Sequence, residues 1–233
     1  MHNVLITGAS RGLGLEFAKQ YLDEGWRVLA TCRHPKAAVE LQRLKGDIEI
    51  YPMDITKLDQ VKELANRIAH PIDVLINNAG KSGPFDERST LGGLDQETFI
   101  DLFHVNAFAP MKVTEVFLEH VKRSQRKTVV FISSRAGSIA ERGTLSHHQR
   151  GGSYIFRSSK AALNAMAQSL CFDLNSEGIR VLVLHPGWVK TENGGEKADI
   201  DKETSVRGMR TIIEDLKFNK GVFLSYQGEK IAW

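Results

Sequence analysis

Short apolar runs and longer amphipathic stretches alternate along this chain from end to end. The runs fall at residues 4–6, 28–30, 48–51, 74–76, 129–132 and 181–184, with a last one at 222–224. They are apolar at successive positions rather than at every second one, which predicts strands covered on both faces. Between the first two runs, Gly14, Phe17, Ala18, Tyr21 and Leu22 recur at helical spacing, and Gly25 supplies a stop. Alternation of this kind predicts an α/β fold. The expected form is a single-domain, Rossmann-type doubly wound parallel sheet of about seven strands, with helices on both faces, spanning residues 1–233.

Three stretches carry neither pattern: 82–93, 141–152 and 192–202. Each follows a strand end on the same side of the expected sheet, where such folds hold their ligands, so all three are candidate substrate loops.

Composition narrows the setting. A chain of 233 residues that is 42% hydrophobic can bury a full core. The net charge of +3 is small and no run of five or more like charges occurs, so nothing argues for nucleic acid. The opening MHNVLITG enters a strand without the basic-then-apolar pattern of a signal peptide. No stretch reaches the ~18 apolar residues that a membrane span needs. Cys32 and Cys171 lie far apart in no metal-like spacing, and two free thiols suit a reducing compartment. A cytoplasmic protein without membrane or nucleic-acid partners is expected. His147 and His148 are adjacent, a poor arrangement for chelating one ion, and no Cys/His cluster accompanies them, so no metal is expected. Cys171, among Ala167, Leu170, Phe172 and Leu174, reads as packing rather than as a nucleophile. The predicted helix over 156–176 is apolar on more than one face, which predicts a homodimer or homotetramer.

The candidate chemistry begins at Thr7-Gly8-Ala9-Ser10-Arg11-Gly12-Leu13-Gly14, between the first strand and the first helix. Glycines there permit a tight turn and close approach of backbone to a pyrophosphate, and the helix start offers unpaired N–H groups with a positive dipole end. A dinucleotide site usually reads the adenosine ribose with an acid about 20 residues further on. That count reaches Cys32, followed by Arg33, with no carboxylate. A guanidinium pairs with a 2′-phosphate that a carboxylate would repel, and Arg11 lies within reach of the same group. NADP(H) is therefore expected over NAD(H).

With these residues in view, the chain resembles the short-chain dehydrogenase/reductase family. The matching segments are TGASRGLG, Asp54 in YPMDIT, Asn77-Asn78-Ala79-Gly80, Asn106 in HVNAFAP, Ser133-Ser134, Lys160 in RSSKAALN, and Pro186-Gly187-Trp188-Val189-Lys190-Thr191. The compact length and the terminal FLSYQGEKIAW are most similar to the C-factor and sniffer-like carbonyl reductase branch. The resemblance implies hydride transfer between NADP(H) and a small carbonyl or alcohol. It implies that Gly8, Ser10, Arg11, Gly12, Leu13 and Gly14 hold the phosphates, with Arg33, Asp54 and Ile55 at the adenosine end. Asn78, Ala79 and Gly80 would line the cofactor, Pro186 and Gly187 would contact it, and Val189 and Thr191 would hold the nicotinamide carboxamide. Ser134 would bond the substrate oxygen, Lys160 the nicotinamide ribose, and Asn106 a water in a proton relay. Asn106 also falls in the apolar helical stripe of Phe99, Leu102, Phe103, Ala109, Pro110, Val113 and Phe117, so its amide should point inward. Pro110 has no N–H for the carbonyl four residues back, leaving that carbonyl to other partners, ordered water among them, or the helix to kink with Asn106 satisfied locally.

One position departs from the pattern. The family's proton donor is a tyrosine four residues before the lysine, and Phe156 stands there. Residues four apart share a helix face, so a lysine can sit beside a phenol and lower its pKa from about 10. Phe156 has the ring without the hydroxyl. Tyr154 is the substitute, provided it precedes the helix; inside the helix, six residues from Lys160, it would face away. The segment LSHHQRGG resembles an insertion in this branch. Two readings follow: an oxidoreductase that uses Tyr154 or a poorer proton route through water or Ser134, and a cofactor-binding sensor or signalling protein with little turnover.

Overall fold

The structure is a computed structural model describing residues 1–143, 152–215, 217 and 221–233. The seven apolar runs form seven strands. They are β1 (Asn3–Thr7), β2 (Arg27–Cys32), β3 (Ile48–Pro52), β4 (Val74–Asn77), β5 (Thr128–Ile132), β6 (Arg180–His185) and β7 (Val222–Ser225). All pair in parallel, in the order β3-β2-β1-β4-β5-β6-β7. The chain enters at the sheet's centre, runs outward to β3, and returns to place β4 beside β1. That reversal opens the crevice where open parallel sheets bind ligands.

Register explains why the inner strands are apolar at their centres. Leu29, Leu5, Leu75, Val129 and Val181 align across the sheet, as do their neighbours Ala30, Ile6, Ile76, Val130 and Leu182. Side chains alternate between faces, so the first row enters one core and the second the other. The first core is closed by α3 (Leu58–Arg67), α5 (Ala109–Lys122) and α6 (Tyr154–Leu174), through residues such as Leu64, Phe117 and Ala167. The second is closed by α1 (Gly12–Asp23), the single turn α2 (Val39–Gln42) and α7 (Lys202–Glu214), through Phe17, Tyr21, Leu41 and Met209. Cys171 is buried in the first core, and both cysteines are free.

Two features were only half legible. Helix α4 (Gln96–Phe103) runs into α5 through a π-helical segment, His104–Phe108, closed by the Ala109 N–H on the His104 carbonyl. Pro110 cannot donate to the carbonyl of Asn106, and the wider turn accommodates that missing bond without a break in the helix. Helix α6 starts at Tyr154, two residues before the predicted start, from Gly152 and Ser153 in left-handed backbone (φ 82° and 54°). Among the described residues no helix is long and apolar enough to cross a membrane, and no group of three His, Cys, Asp or Glu could hold a metal. His147 and His148 lie outside the described residues.

Candidate functional site

The carboxyl ends of β1 to β6 open onto one cleft of about 1030 Å³. At its inner wall the glycine turn is shaped by three separate demands. Gly8 (φ 68°) lies so close to the next loop that a Cβ would come within 3.0 Å of the Ala79 backbone. Gly12 (φ 58°) begins α1 and faces the cleft, with nothing nearer to a Cβ than a methyl of Thr191 at 3.8 Å. Gly14 presses α1 onto the turn: a Cβ there would collide with the Gly8 carbonyl and lie 2.6 Å from Nδ2 of Asn78. Arg11 precedes α1 in extended backbone, no side chain caps the helix, and its first turn holds no acid. Its free N–H groups and positive dipole end therefore meet the cleft, an arrangement suited to an anion.

The turn is braced from β4. Thr7 Oγ1 accepts from the N–H groups of Asn78 and Ala79, each at 3.0 Å. Asn78 Nδ2 donates to the carbonyls of Thr7 (2.9 Å) and Gly8 (3.2 Å). Ser10, Leu13, Asn78, Ala79 and Gly80 all line the cleft. At the adenosine end, Cys32, Arg33, Asp54 and Ile55 line it as well. Partial burial would raise the Asp54 carboxyl, but hydrogen bonds from the Thr56 hydroxyl (2.7 Å) and amide (2.9 Å), with the Arg33 and Lys57 charges, hold it below its ordinary value. Arg33 is exposed. Arg11 is ion-paired with Glu192 across the cleft, both exposed, a contact weak enough for a better anion to replace.

At the other end Pro186, Gly187, Val189 and Thr191 line the wall after β6. Ser134 faces the same space, its Oγ accepting from the Ala136 N–H at 3.2 Å. Lys160 is buried, with Nζ donating to the Ile132 carbonyl at 3.1 Å, and burial alone pushes its pKa down to about 8. Gly80 leaves room for it, since a Cβ there would stand 3.6 Å from Nζ. Phe156 occupies the wall one turn earlier, packed edge-to-face on Phe85 with ring centres 5.9 Å apart.

One expectation is corrected. Tyr154 is the first residue of α6, is 41% exposed, and is not among the residues lining the cleft. Six helical residues place it about 240° around from Lys160, and the left-handed turn lies before it, not after. Asn106 points inward, as its place in the apolar stripe implies, and is buried without lining the cleft. Its Oδ1 accepts from the Lys81 N–H (2.8 Å), and its Nδ2 donates to the Lys81 carbonyl (2.9 Å) and to Ser159 Oγ (3.0 Å). The amide thus clips the loop after β4, at residue 81, to α6. Among the described residues of the three predicted loops, Ser82 and Phe85 from one and Glu192, Asn193 and Gly194 from another line the cleft. Lys81, Asp101 and Trp188 line it without having been singled out; only their nearness to recognised motifs hinted at them.

Residues 2–201 match the short chain dehydrogenase family. The C-signal protein of Myxococcus xanthus is 40% identical over 164 residues, 70% of this chain and 93% of that protein. The carbonyl reductase Sniffer of D. melanogaster is 31% identical, with a TM-score of 0.91 over 100% of both chains. An NADPH bound carbonyl reductase from chicken fatty liver is 32% identical, with a TM-score of 0.91 over 100% of this chain and 99% of that one.

Proposed function

Since the chain belongs to the short chain dehydrogenase family, we propose that it is an NADP(H)-dependent oxidoreductase acting on a small carbonyl or alcohol, with residues 1–233 forming one cofactor-binding domain. One observation carries the reading: a single cleft joins the uncapped start of α1 and Arg33 at one end to Ser134 and Lys160 at the other. The residues fit a phosphorylated dinucleotide. Gly8, Ser10, Arg11, Gly12, Leu13 and Gly14 hold the pyrophosphate against the helix start. Arg33 pairs with the 2′-phosphate, and Asp54 and Ile55 border the adenine. Asn78, Ala79 and Gly80 line the cofactor, Lys160 binds the nicotinamide ribose, Pro186 and Gly187 contact the cofactor, and Val189 and Thr191 hold the carboxamide. When bound, the cofactor supplies or takes up hydride. Ser134 orients the substrate oxygen by hydrogen bonding, and Asn106 positions the wall by fixing Lys81 and Ser159.

NADPH binding followed by fluorescence, then NADPH consumption with aldehydes, ketones and diketones, tests this. Binding with consumption is expected; binding without consumption on every substrate removes the oxidoreductase reading. That outcome would favour a second one, a cofactor-binding signalling protein. Phe156 lining the cleft with Tyr154 outside it supports this second reading, as does the likeness to a protein called C-signal. A homodimer or homotetramer in the cytoplasm completes the proposal, since Phe172 on α6 and Phe108 beside α5 stay exposed; sedimentation of the purified protein as a monomer would remove the oligomer.

A further inference from the structure

Resting on the oxidoreductase reading, we infer that the Lys160 ammonium is itself the proton donor to the substrate oxygen, taking over the task for which Phe156 has no hydroxyl. Three observations place it there. Phe156 offers only an apolar ring to the cleft, and Tyr154 is not on its wall. Lys160 lines the cleft from one helical turn further on, on the face it shares with Phe156. Its Nζ has one protein acceptor, the Ile132 carbonyl at 3.1 Å, so two of its three N–H bonds remain, one for the nicotinamide ribose and one for the substrate oxygen. Gly80 puts no side chain against Nζ, which a Cβ there would approach to 3.6 Å.

The acid strength suits the task. An ammonium in water is too weak an acid to be useful near neutrality, but burial has brought this one to about 8, where a general acid is both protonated and willing to donate. The ionisable groups on the elements around it are already engaged or set apart. Lys81 is paired with Asp101 at 2.7 Å, Arg135 with Glu141 at 3.3 Å, and His104 stacks on Phe108. His185 lines the cleft from β6 and has its own interaction. None contributes to the Lys160 shift, which burial alone produces.

The step balances without another group. The carbonyl carbon gains hydride from the dihydronicotinamide and its oxygen gains a proton from Nζ. The broken N–H bond leaves its electron pair on nitrogen, and the neutral amine takes a proton back from solvent. Because the protonated form acts, reduction should fall as pH rises through about 8.

Lys160→Arg tests this, since a guanidinium keeps the charge and hydrogen bonding but does not give up its proton. With saturating NADPH and 2,3-butanedione, kcat should drop by about 10²–10⁴, and the parent's fall in rate as pH rises through about 8 should be lost, whatever the change in NADPH affinity. Heteronuclear NMR of ¹³C,¹⁵N-lysine protein without cofactor should show one ammonium titrating well below the surface lysines, absent in the variant. Unchanged kcat in Lys160→Arg, or an ordinary titration midpoint for Lys160, overturns the assignment while leaving the oxidoreductase reading intact. Failure of the parent protein to consume NADPH overturns that reading, and this assignment with it.

Discussion

The two ends of the cleft are built on different terms. At the glycine turn the bracing side chains bond to backbone: Thr7 serves two amides and Asn78 two carbonyls. At the far end an aromatic pair, Phe85 and Phe156, stands beside a buried lysine with one acceptor. The first region is specified by close approach of main chain to main chain, which one added carbon would spoil. The second tolerates exchange of a hydroxyl for hydrogen, because an aromatic ring still fills the same volume. Binding and proton transfer are therefore separable here, and the chain keeps the machinery for the first while lacking the usual group for the second.

The largest test of that separation is Phe156→Tyr. Restoring a phenol one turn before Lys160 should raise the rate of carbonyl reduction by about 10²–10⁴ with little change in NADPH affinity. A rate that stays flat in stopped-flow assays would mean that a phenol at this position adds nothing to the proton donor already present. Next is Gly14→Ala, which should destabilise the fold by about 3 kcal/mol or more and abolish NADPH binding, because the new methyl meets the Gly8 carbonyl. Thermal unfolding and calorimetric titration check both effects, and wild-type behaviour would break the account of the turn.

Lys160→Met should stabilise the cofactor-free protein. The lysine's pKa falls from 10.5 unfolded to about 8 folded, so burying its charge costs stability below pH 8, on the order of 3 kcal/mol. That cost fades as pH rises from about 8 towards 10.5, so the variant's advantage should shrink over the same window. Denaturant titrations at pH 7 and pH 10 that show equal gaps would contradict it. Arg33→Ala should lower the preference for NADPH over NADH by about tenfold to a hundredfold, the value of one charge-assisted pair. Competition binding with both cofactors measures this, and an unaltered ratio would remove Arg33 from recognition. The smallest effect belongs to Tyr154→Phe, expected within about twofold of the parent in turnover, as general acid–base catalysis needs a group in contact with the reacting oxygen. A large loss would return Tyr154 to the mechanism.

Much of the architecture was legible because hydrophobic burial is local in its signature. Strands buried on both faces read as unbroken apolar runs; β3, half-buried at the sheet edge, carries Glu49 within its run. The glycine turn was legible for a related reason: Gly8, Gly12 and Gly14 answer backbone demands that no other residue meets. Asn106 was legible only in part. Its inward direction followed from the apolar stripe, but its partners, Lys81 and Ser159, lie 25 and 53 residues away in sequence.

From the order of its residues alone, this chain was committed to a parallel sheet, to a phosphate-sized turn at the first helix, and to a phenylalanine where its family has a phenol. Each is a matter of periodicity, backbone freedom or side-chain identity, all carried within a few neighbouring positions. Folding decided the rest. Whether Tyr154 could reach the cleft depended on where α6 began, and whether Lys160 would be an ordinary cation depended on what packed around it. Helical phase and desolvation arise only when distant segments meet, so no single stretch of sequence contains them.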